Sequence, residues 1–375
     1  KDYVLLAAYR DNSLLSYKLT YDLVNEIDMA YAPSSEFVHL YINGEYEGMY
    51  LLTGKIQIGK TRFDLKDLKT EAKELNSKSE LREYAHTTWK NEGFYAQRTW
   101  YELDQTPEDV TGGYIIELDN EDYDRTKANF VSDRNLSFMI PSMNWASQSQ
   151  VYCIADFWQD FENALYAKDG YNDKGKYYTD YIDLESFADQ WLFYELNEEN
   201  SVNSSVYYYK DSDICGDGKL HASWPWDMEH SLAREGGAAS SWFAAASDLK
   251  PEGYWMQFYH HRDFAEAVYK EWMTKFVPAL EKALNPETEY DPDGISSLDW
   301  YLGYYGTDAQ INESRWNESG FAEKLEKIRR IYTVRLDFLT EALGLYDTDY
   351  IYFYKENGIL YGVNAQEESI PVENP

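Results

Sequence analysis

Basic residues are scarce in this chain. Its 375 residues include 34 Lys and Arg against 67 Asp and Glu, which gives a formal net charge of −33. A surface of that sign repels nucleic-acid backbones and anionic lipid headgroups, so neither is expected as the main partner. The sequence also has no run of about 18 apolar residues, so it predicts no membrane span.

Cysteine is nearly absent, since Cys153 and Cys215 are the only two. Without a CxxC pair or a Cys/His ligand spacing, a structural zinc site is not expected. One disulfide and two separate thiols are both compatible with the sequence. A secretory leader is missing too, but the chain opens with the strand-like "KDYVLLAAYRD". We therefore expect the leader to lie before the first residue.

The string GKIQIGKT at 54–61 matches the P-loop pattern G-x-x-x-x-G-K-[ST]. A P-loop follows a strand of a parallel sheet and opens a helix. Here the residues before it alternate in polarity on both sides of Asn43-Gly44, the strongest local signal for an antiparallel hairpin. Ile56, Ile58 and the following "RFDL" favour extended backbone. We interpret the match as accidental.

Hydrophobic periodicity and turn signals predict an α+β body with a hairpin-rich N-terminal part and a mainly helical C-terminal part beyond Gly236. Residues from about Tyr346 onward predict a strand-like extension and a polar tail. The predicted domain boundaries are therefore 1–345 and 346–375. Helices are expected over 11–27, 66–84, 147–167, 183–199, 262–284 and 321–344, and strands over 36–56, 112–119, 204–210 and 219–227.

Five segments in order carry a family resemblance: "LLAAYRDNSLLSYKLTYDL", "YAPSSEFVHLYINGEYEGMYLLTGKIQIGKTRFDL", "GGYIIELD", "YIDLESFADQWLFYELNEENSVNSSVYYYKD" and "KLHASWPWDME". Together they resemble the CotH family of spore-coat-protein-H-like proteins. The resemblance implies an atypical protein-kinase-like fold. It also implies transfer of the γ-phosphoryl group of ATP, with Mg²⁺ or Mn²⁺, to Ser or Thr of a coat, extracellular or cell-surface protein. The implied location is secreted or on a bacterial surface.

Acidic residues in "PWDME" are the expected metal ligands. Asp227 follows a predicted strand and stands two residues before Glu229, so both carboxylates can point to one side of a cleft. The resemblance makes Asp227 the metal-binding acid and implies that Trp226 packs near the adenine. An acidic strand end beside a core tryptophan is the structural alternative.

A lysine on the strand leaving the hairpin is the expected phosphate contact. The resemblance assigns that role to Lys55, with Lys18 and Arg62 as weaker candidates of the same kind. A solvated strand lysine is the alternative for Lys55. Gly54 stands where the family usually has Glu, and Ser16-Tyr17 stand where it usually has Arg-Asn.

The family's catalytic base is an Asp about ten residues before the lysine of "YYYK", and that spacing leads to Asn200. An amide cannot accept the proton of a hydroxyl. Glu198 or Glu199 takes the role if the loop is one residue shorter. The departures together favour a weakened kinase, and the rival interpretation is a catalytically silent pseudokinase that acts as a binding or assembly module. Glycan binding on exposed aromatic residues is a third interpretation.

Overall fold

The computed structural model describes residues 2–7, 11, 13–92, 95–119, 127–142, 144–199, 202, 204–228, 230–232, 239–240, 257–258, 261–316, 320–349, 352–356, 359–364 and 368–371. Its α-helices are Leu15–Glu26 (α1), Leu68–Leu75 (α2), Gln148–Leu165 (α3), Leu184–Asn197 (α4), Arg262–Glu271 (α5), Val277–Leu284 (α6), Leu298–Trp316 (α7) and Phe321–Asp349 (α8). Its strands are Tyr3–Ala7 (β1), Ser35–Ile42 (β2), Glu45–Gly54 (β3), His86–Lys90 (β4), Gln97–Tyr101 (β5), Tyr114–Leu118 (β6), Asn129–Val131 (β7), Ser137–Met139 (β8), Val206–Lys210 (β9), Leu220–Ala222 (β10), Tyr352–Glu356 (β11), Ile359–Val363 (β12) and Ser369–Pro371 (β13).

The predicted hairpin is present and lies at the start of the fold. Strands β2 and β3 are joined by Asn43 and Gly44, both with positive φ (53° and 86°), as a type I′ turn requires. β3 is the centre of an antiparallel sheet of order β1-β3-β2. Because β3 is antiparallel to both neighbours and the next helix begins only at Leu68, the P-loop match is confirmed as accidental.

A second, larger sheet forms the centre of the molecule. Its strand order is β10-β9-β6-β8-β7-β5-β4, and its described pairings are antiparallel. β6 is buried along its whole length between β9 and β8. Helix α3 packs on β5 and β7, while α4 packs against β10 and α5. The predicted α+β class with antiparallel sheets is therefore confirmed.

Side-chain caps mark the starts of α3 and α4 at the residues that the sequence predicts. Ser147 and Gln150 form a capping box at the start of α3, and the Asp183 carboxylate accepts a hydrogen bond from the Ser186 N–H at the start of α4. Trp158 of α3 and Trp191 of α4 are fully buried. Both helices are therefore anchored in the core, with α3 on β5 and β7 and α4 on β10 of the large sheet.

The C-terminal helices depart from the predicted boundaries in two places. The predicted helix over 262–284 contains a π-helical turn, Trp272–Phe276, between α5 and α6. α8 runs to Asp349, beyond the predicted domain boundary at 345, and β11 to β13 form a small sheet after it. The division into two domains stays a prediction. No helix in the described part of the chain is both long and apolar enough to cross a membrane, and the two cysteines are free thiols.

A buried ion pair fixes the end of α4 to α8, and breaking it should destabilise the fold strongly. Glu195 and Arg335 are fully buried, with Arg335 Nη2 2.7 Å from Glu195 Oε1. The same nitrogen donates to the Glu195 carbonyl oxygen. Arg335→Ala removes a charged partner from a fully buried carboxylate, so we expect a loss of about 3–5 kcal/mol in the free energy of unfolding. Urea denaturation measures it.

Arg330→Ala is the matched control, since it removes the same charge from an exposed position of α8. It should change the free energy of unfolding by less than about 0.5 kcal/mol. Equal losses in the two variants would contradict a structural role for the buried pair.

A second buried cluster should make stability depend on pH. Asp189 of α4 is 2.9 Å from Lys275, yet burial, aided by Glu271, raises the pKa of Asp189 to about 7. The unfolded chain loses this proton near pH 4, so between about pH 4 and 7 the folded state binds more protons. Stability should therefore fall as pH rises through that window. Asp189→Asn should flatten this slope in urea denaturation series.

Glu185→Gln is the control for the pH series, because Glu185 belongs to the same cluster but has a side chain 58 % exposed. The wild-type slope should survive in this variant. A slope that survives unchanged in Asp189→Asn would show that another group is responsible.

Candidate functional site

Two buried glutamates, Glu198 and Glu199, follow the end of α4, and the sequence analysis predicts both as candidate catalytic bases. Glu198 is the residue after the last helical position and has a left-handed backbone conformation (φ 52°). The Glu199 N–H donates to the Tyr194 carbonyl oxygen at 3.2 Å. Both residues are buried, with 3 % and 0 % of their surface exposed. Asn200 lies outside the described residues.

Asp227 lies in the loop that follows β10. Its backbone has a positive φ of 60°, which turns the chain sharply after Trp226. The Tyr17 hydroxyl of α1 donates to Asp227 Oδ1 at 3.1 Å. Trp226 is half-buried and its ring lies 5.7 Å from that of Trp224. Glu229, the second predicted metal ligand, lies outside the described residues.

Two further acids lie on β6 and directly after it, Glu117 and Asp119, and the sequence analysis named neither as a site residue. The Tyr207 hydroxyl donates to Glu117 Oε1 at 2.6 Å, and Ser204 donates to Asp119 Oδ1 at 3.1 Å. Burial raises the pKa of Tyr207 above its usual range, and the negative charges of Glu117, Asp119 and Asp227 raise it further. These three carboxylates therefore lie around one tyrosine.

Glu199 and Asp227 share an electrostatic neighbour. Burial raises the pKa of Tyr194 well above its usual value, and Tyr208, Glu199 and Asp227 add to the effect. The end of α4 and the loop after β10 thus act on the same hydroxyl.

Lys55 and Arg62 line a cavity of about 340 Å³. Trp224 forms part of its wall, and the Trp224 ring lies 5.5 Å from that of Tyr21. Asp227 is not among the described residues that line the cavity, and it lies three positions beyond Trp224 in the sequence. The structure thus brings two of the three predicted cations together.

Lys18 lies elsewhere. Its ammonium is 2.8 Å from Asp22 Oδ1 and donates to the Ser35 carbonyl oxygen at 3.1 Å. It lines a different cavity of about 250 Å³, which also contains Glu36 and Tyr301. Lys18 therefore does not share the cavity of Lys55 and Arg62, and its role as a phosphate contact stays a prediction.

A divalent cation is chemically compatible with the described donors. Mg²⁺ in phosphoryl-transfer sites commonly takes one or two protein carboxylates and completes its shell with waters and substrate phosphates. Asp227 supplies a half-buried carboxylate whose second oxygen is not used by Tyr17. Among the residues that the structure describes, no group of three or more His, Cys, Asp or Glu side chains is arranged to hold a metal.

Comparison with known protein families identifies a match over most of the chain. The family described as "CotH kinase protein" matches residues 1–339, which is most of the chain and includes every residue of the site described above. No curated protein matches the chain.

Proposed function

The chain belongs to the CotH kinase family, and on that premise we propose that it transfers the γ-phosphoryl group of ATP to Ser or Thr of an extracellular, coat or cell-surface protein. The observation that carries the proposal is a cavity lined by two predicted cations, Lys55 and Arg62, and by Trp224, which stands three residues before Asp227. The charge of Asp227 acts on Tyr194 together with that of Glu199, and on Tyr207 together with those of Glu117 and Asp119.

This arrangement suits phosphoryl transfer because the reaction needs positioning and charge compensation more than covalent chemistry. Lys55 would hold phosphate oxygens at the cavity. Asp227, with Glu229 as its predicted companion, would hold Mg²⁺ or Mn²⁺, which when bound neutralises negative charge on the phosphates. Glu199 would accept the proton of the substrate hydroxyl, and Trp226 would pack near the adenine.

Tyr17 has a positioning role in this proposal. Its hydroxyl donates to Asp227 Oδ1, so it fixes the carboxylate and leaves the other oxygen for a cation. Tyr17 stands where the family usually has a different residue, which makes the contact a feature of this chain.

The alternative within the same family is a pseudokinase that keeps the fold as a binding or assembly module. Asn200 at the expected position of the base and Gly54 beside Lys55 are the observations that favour it. A secreted or surface location is part of both proposals, and the target protein follows from neither.

The deciding experiment follows ³²P from γ-labelled ATP into the protein itself and into a Ser/Thr-containing acceptor protein, with Mg²⁺ and with Mn²⁺. Label on Ser or Thr supports the kinase. A nucleotide-dependent rise in melting temperature without transfer supports the pseudokinase, since a ligand that binds only the folded state stabilises it. If neither transfer nor a rise in melting temperature occurs with either metal, the kinase proposal is contradicted and a module that does not bind nucleotide is favoured.

A further inference from the structure

The cavity of about 250 Å³ that contains Lys18 is strongly acidic. It lies where the end of α1, the start of β2 and the loop before α7 meet. The described residues that line it include one basic residue, Lys18, and five acids from all three of these segments: Asp22, Asp28, Glu36, Asp291 and Asp293. Its volume is slightly below the range of drug-sized ligand pockets, about 300–1,000 Å³, which suits a smaller molecule.

The hydrogen-bond donors around this cavity are already in use. The Lys18 ammonium donates to Asp22 Oδ1 at 2.8 Å. Asn25 Nδ2 donates to two backbone carbonyl oxygens, at 2.6 and 2.9 Å. Asp291 Oδ2 accepts from the Lys282 ammonium at 2.6 Å. A ligand in the cavity therefore meets mainly acceptors.

Several of those acceptors have capacity left. Glu36 Oε1 accepts from the Tyr305 hydroxyl at 2.6 Å and from a backbone N–H at 3.2 Å, while no described residue donates to Oε2. Asp28 and Asp293 form no ion pair in the described part of the chain. The Ser35 hydroxyl oxygen, also in the lining, is buried and has no hydrogen-bond partner among the described residues. Buried polar groups are normally hydrogen-bonded, so this oxygen points to a ligand with a donor.

Aromatic rings form another part of the wall. Trp300 stacks on Tyr290, with 4.6 Å between ring centres, and on Tyr304, with 4.8 Å. Trp300 and Tyr290 both line the cavity. Burial raises the pKa of Tyr290, and the charges of Glu36 and Asp293 raise it further, so acids from β2 and from the loop act on one ring of the stack. Negative charge beside aromatic faces is the environment that attracts organic cations.

We propose that this cavity binds a linear aliphatic polyamine. An ammonium group has three donors and no acceptor, which matches a lining rich in acceptors. The methylene segments between ammonium groups pack on the aromatic rings, whose faces also attract the charge. A single metal ion fits less well, because no three described His, Cys, Asp or Glu side chains converge to hold one. Charges that do not converge on one point suit a ligand whose own charges are spread along a chain. The proposal does not depend on the kinase activity.

Isothermal titration calorimetry tests the proposal with spermidine and putrescine as probes. Spermidine should bind at one site per chain and more tightly than putrescine, because it carries one more ammonium group. Glu36→Gln and Asp293→Asn should each weaken spermidine about tenfold, the value of a hydrogen bond between charged groups. The amide oxygen of Gln can still accept the hydrogen bond from Tyr305, so the fold should persist, which a melting curve checks. Tyr290→Leu should weaken spermidine by about twofold to fivefold, since it removes the aromatic face and keeps an apolar side chain.

Glu289→Gln is the matched control, because Glu289 is exposed, precedes Tyr290 and is not among the described residues that line the cavity. A chain with a net charge of −33 attracts polycations over its whole surface, and this variant removes the same charge outside the cavity. It should bind spermidine as the wild type does. The neutral analogue 1,4-butanediol should not bind.

Three results would overturn the proposal. The first is the absence of a saturable spermidine site in the wild type. The second is wild-type affinity in both Glu36→Gln and Asp293→Asn. The third is a tetralysine peptide that competes with spermidine and binds more tightly, since the ammonium groups would then belong to a protein segment and not to a small amine.

Discussion

Asp227→Asn is expected to lower phosphoryl transfer from ATP by about 10³-fold, because losing several kcal/mol of charge stabilisation in the transition state has that effect on the rate. Asp227 is the predicted metal ligand, and it lies in the loop that follows β10. An amide oxygen in its place is a much weaker ligand for a hard cation. The measurement is the initial rate of ³²P transfer at saturating Mg²⁺ and ATP.

Asparagine is the right replacement because the backbone at Asp227 has a positive φ of 60°. Asn tolerates this left-handed conformation, whereas Ala is strained there. The side-chain oxygen of Asn can also still accept the hydrogen bond from Tyr17. A loss of rate in this variant is therefore attributable to the charge and not to unfolding, which a melting curve checks.

Asp173→Asn provides the comparison, since it neutralises an exposed acid on the connection between α3 and α4. It should transfer phosphoryl groups at the wild-type rate. Tyr17→Phe should lower the rate by an intermediate amount. Asp227, the proposed metal ligand, keeps its charge in this variant but loses the hydrogen bond from the Tyr17 hydroxyl. Wild-type activity in Asp227→Asn would remove Asp227 from the metal site and with it the proposed mechanism.

The parts of the fold that depend on local sequence were predictable. The hairpin follows from Asn43-Gly44, because that pair adopts the two positive φ values that a two-residue turn demands. The start of α3 follows from Ser147 and Gln150. The π-helical turn at Trp272–Phe276 was not predictable, since the apolar spacing of the segment reads as one continuous helix.

The site was only partly predictable for a physical reason. Lys55 and Arg62 are close in sequence, so one loop brings both to the same cavity. Glu117 and Asp119 reach Tyr207 only through the pairing of β6 with β9, which joins segments about 90 residues apart. The ion pair of Lys18 with Asp22 was predictable from the sequence, because the two residues are one helical turn apart on α1.

The last prediction concerns the catalytic base at the end of α4. Glu199→Gln is expected to lower phosphoryl transfer by about 10²–10⁴-fold, the usual contribution of a general base. Glu199 is favoured because its charge and that of Asp227, the proposed metal ligand, both act on Tyr194. The measurement is the rate of transfer to an acceptor protein, with ATP binding measured in parallel to show that the nucleotide site is intact.

Glu198→Gln is the matched comparison, because it makes the same chemical change one residue earlier, where the left-handed backbone turns the chain out of α4. It should lower the rate by less than about tenfold if Glu199 is the base. Asn200→Asp should then do little, or lower activity, since it adds a like charge directly after Glu199 in the sequence. The opposite pattern, in which Asn200→Asp exceeds the wild type and Glu199→Gln equals it, would mean that the chain lost its base at residue 200. In that case the protein is a pseudokinase that a single carboxylate can reactivate.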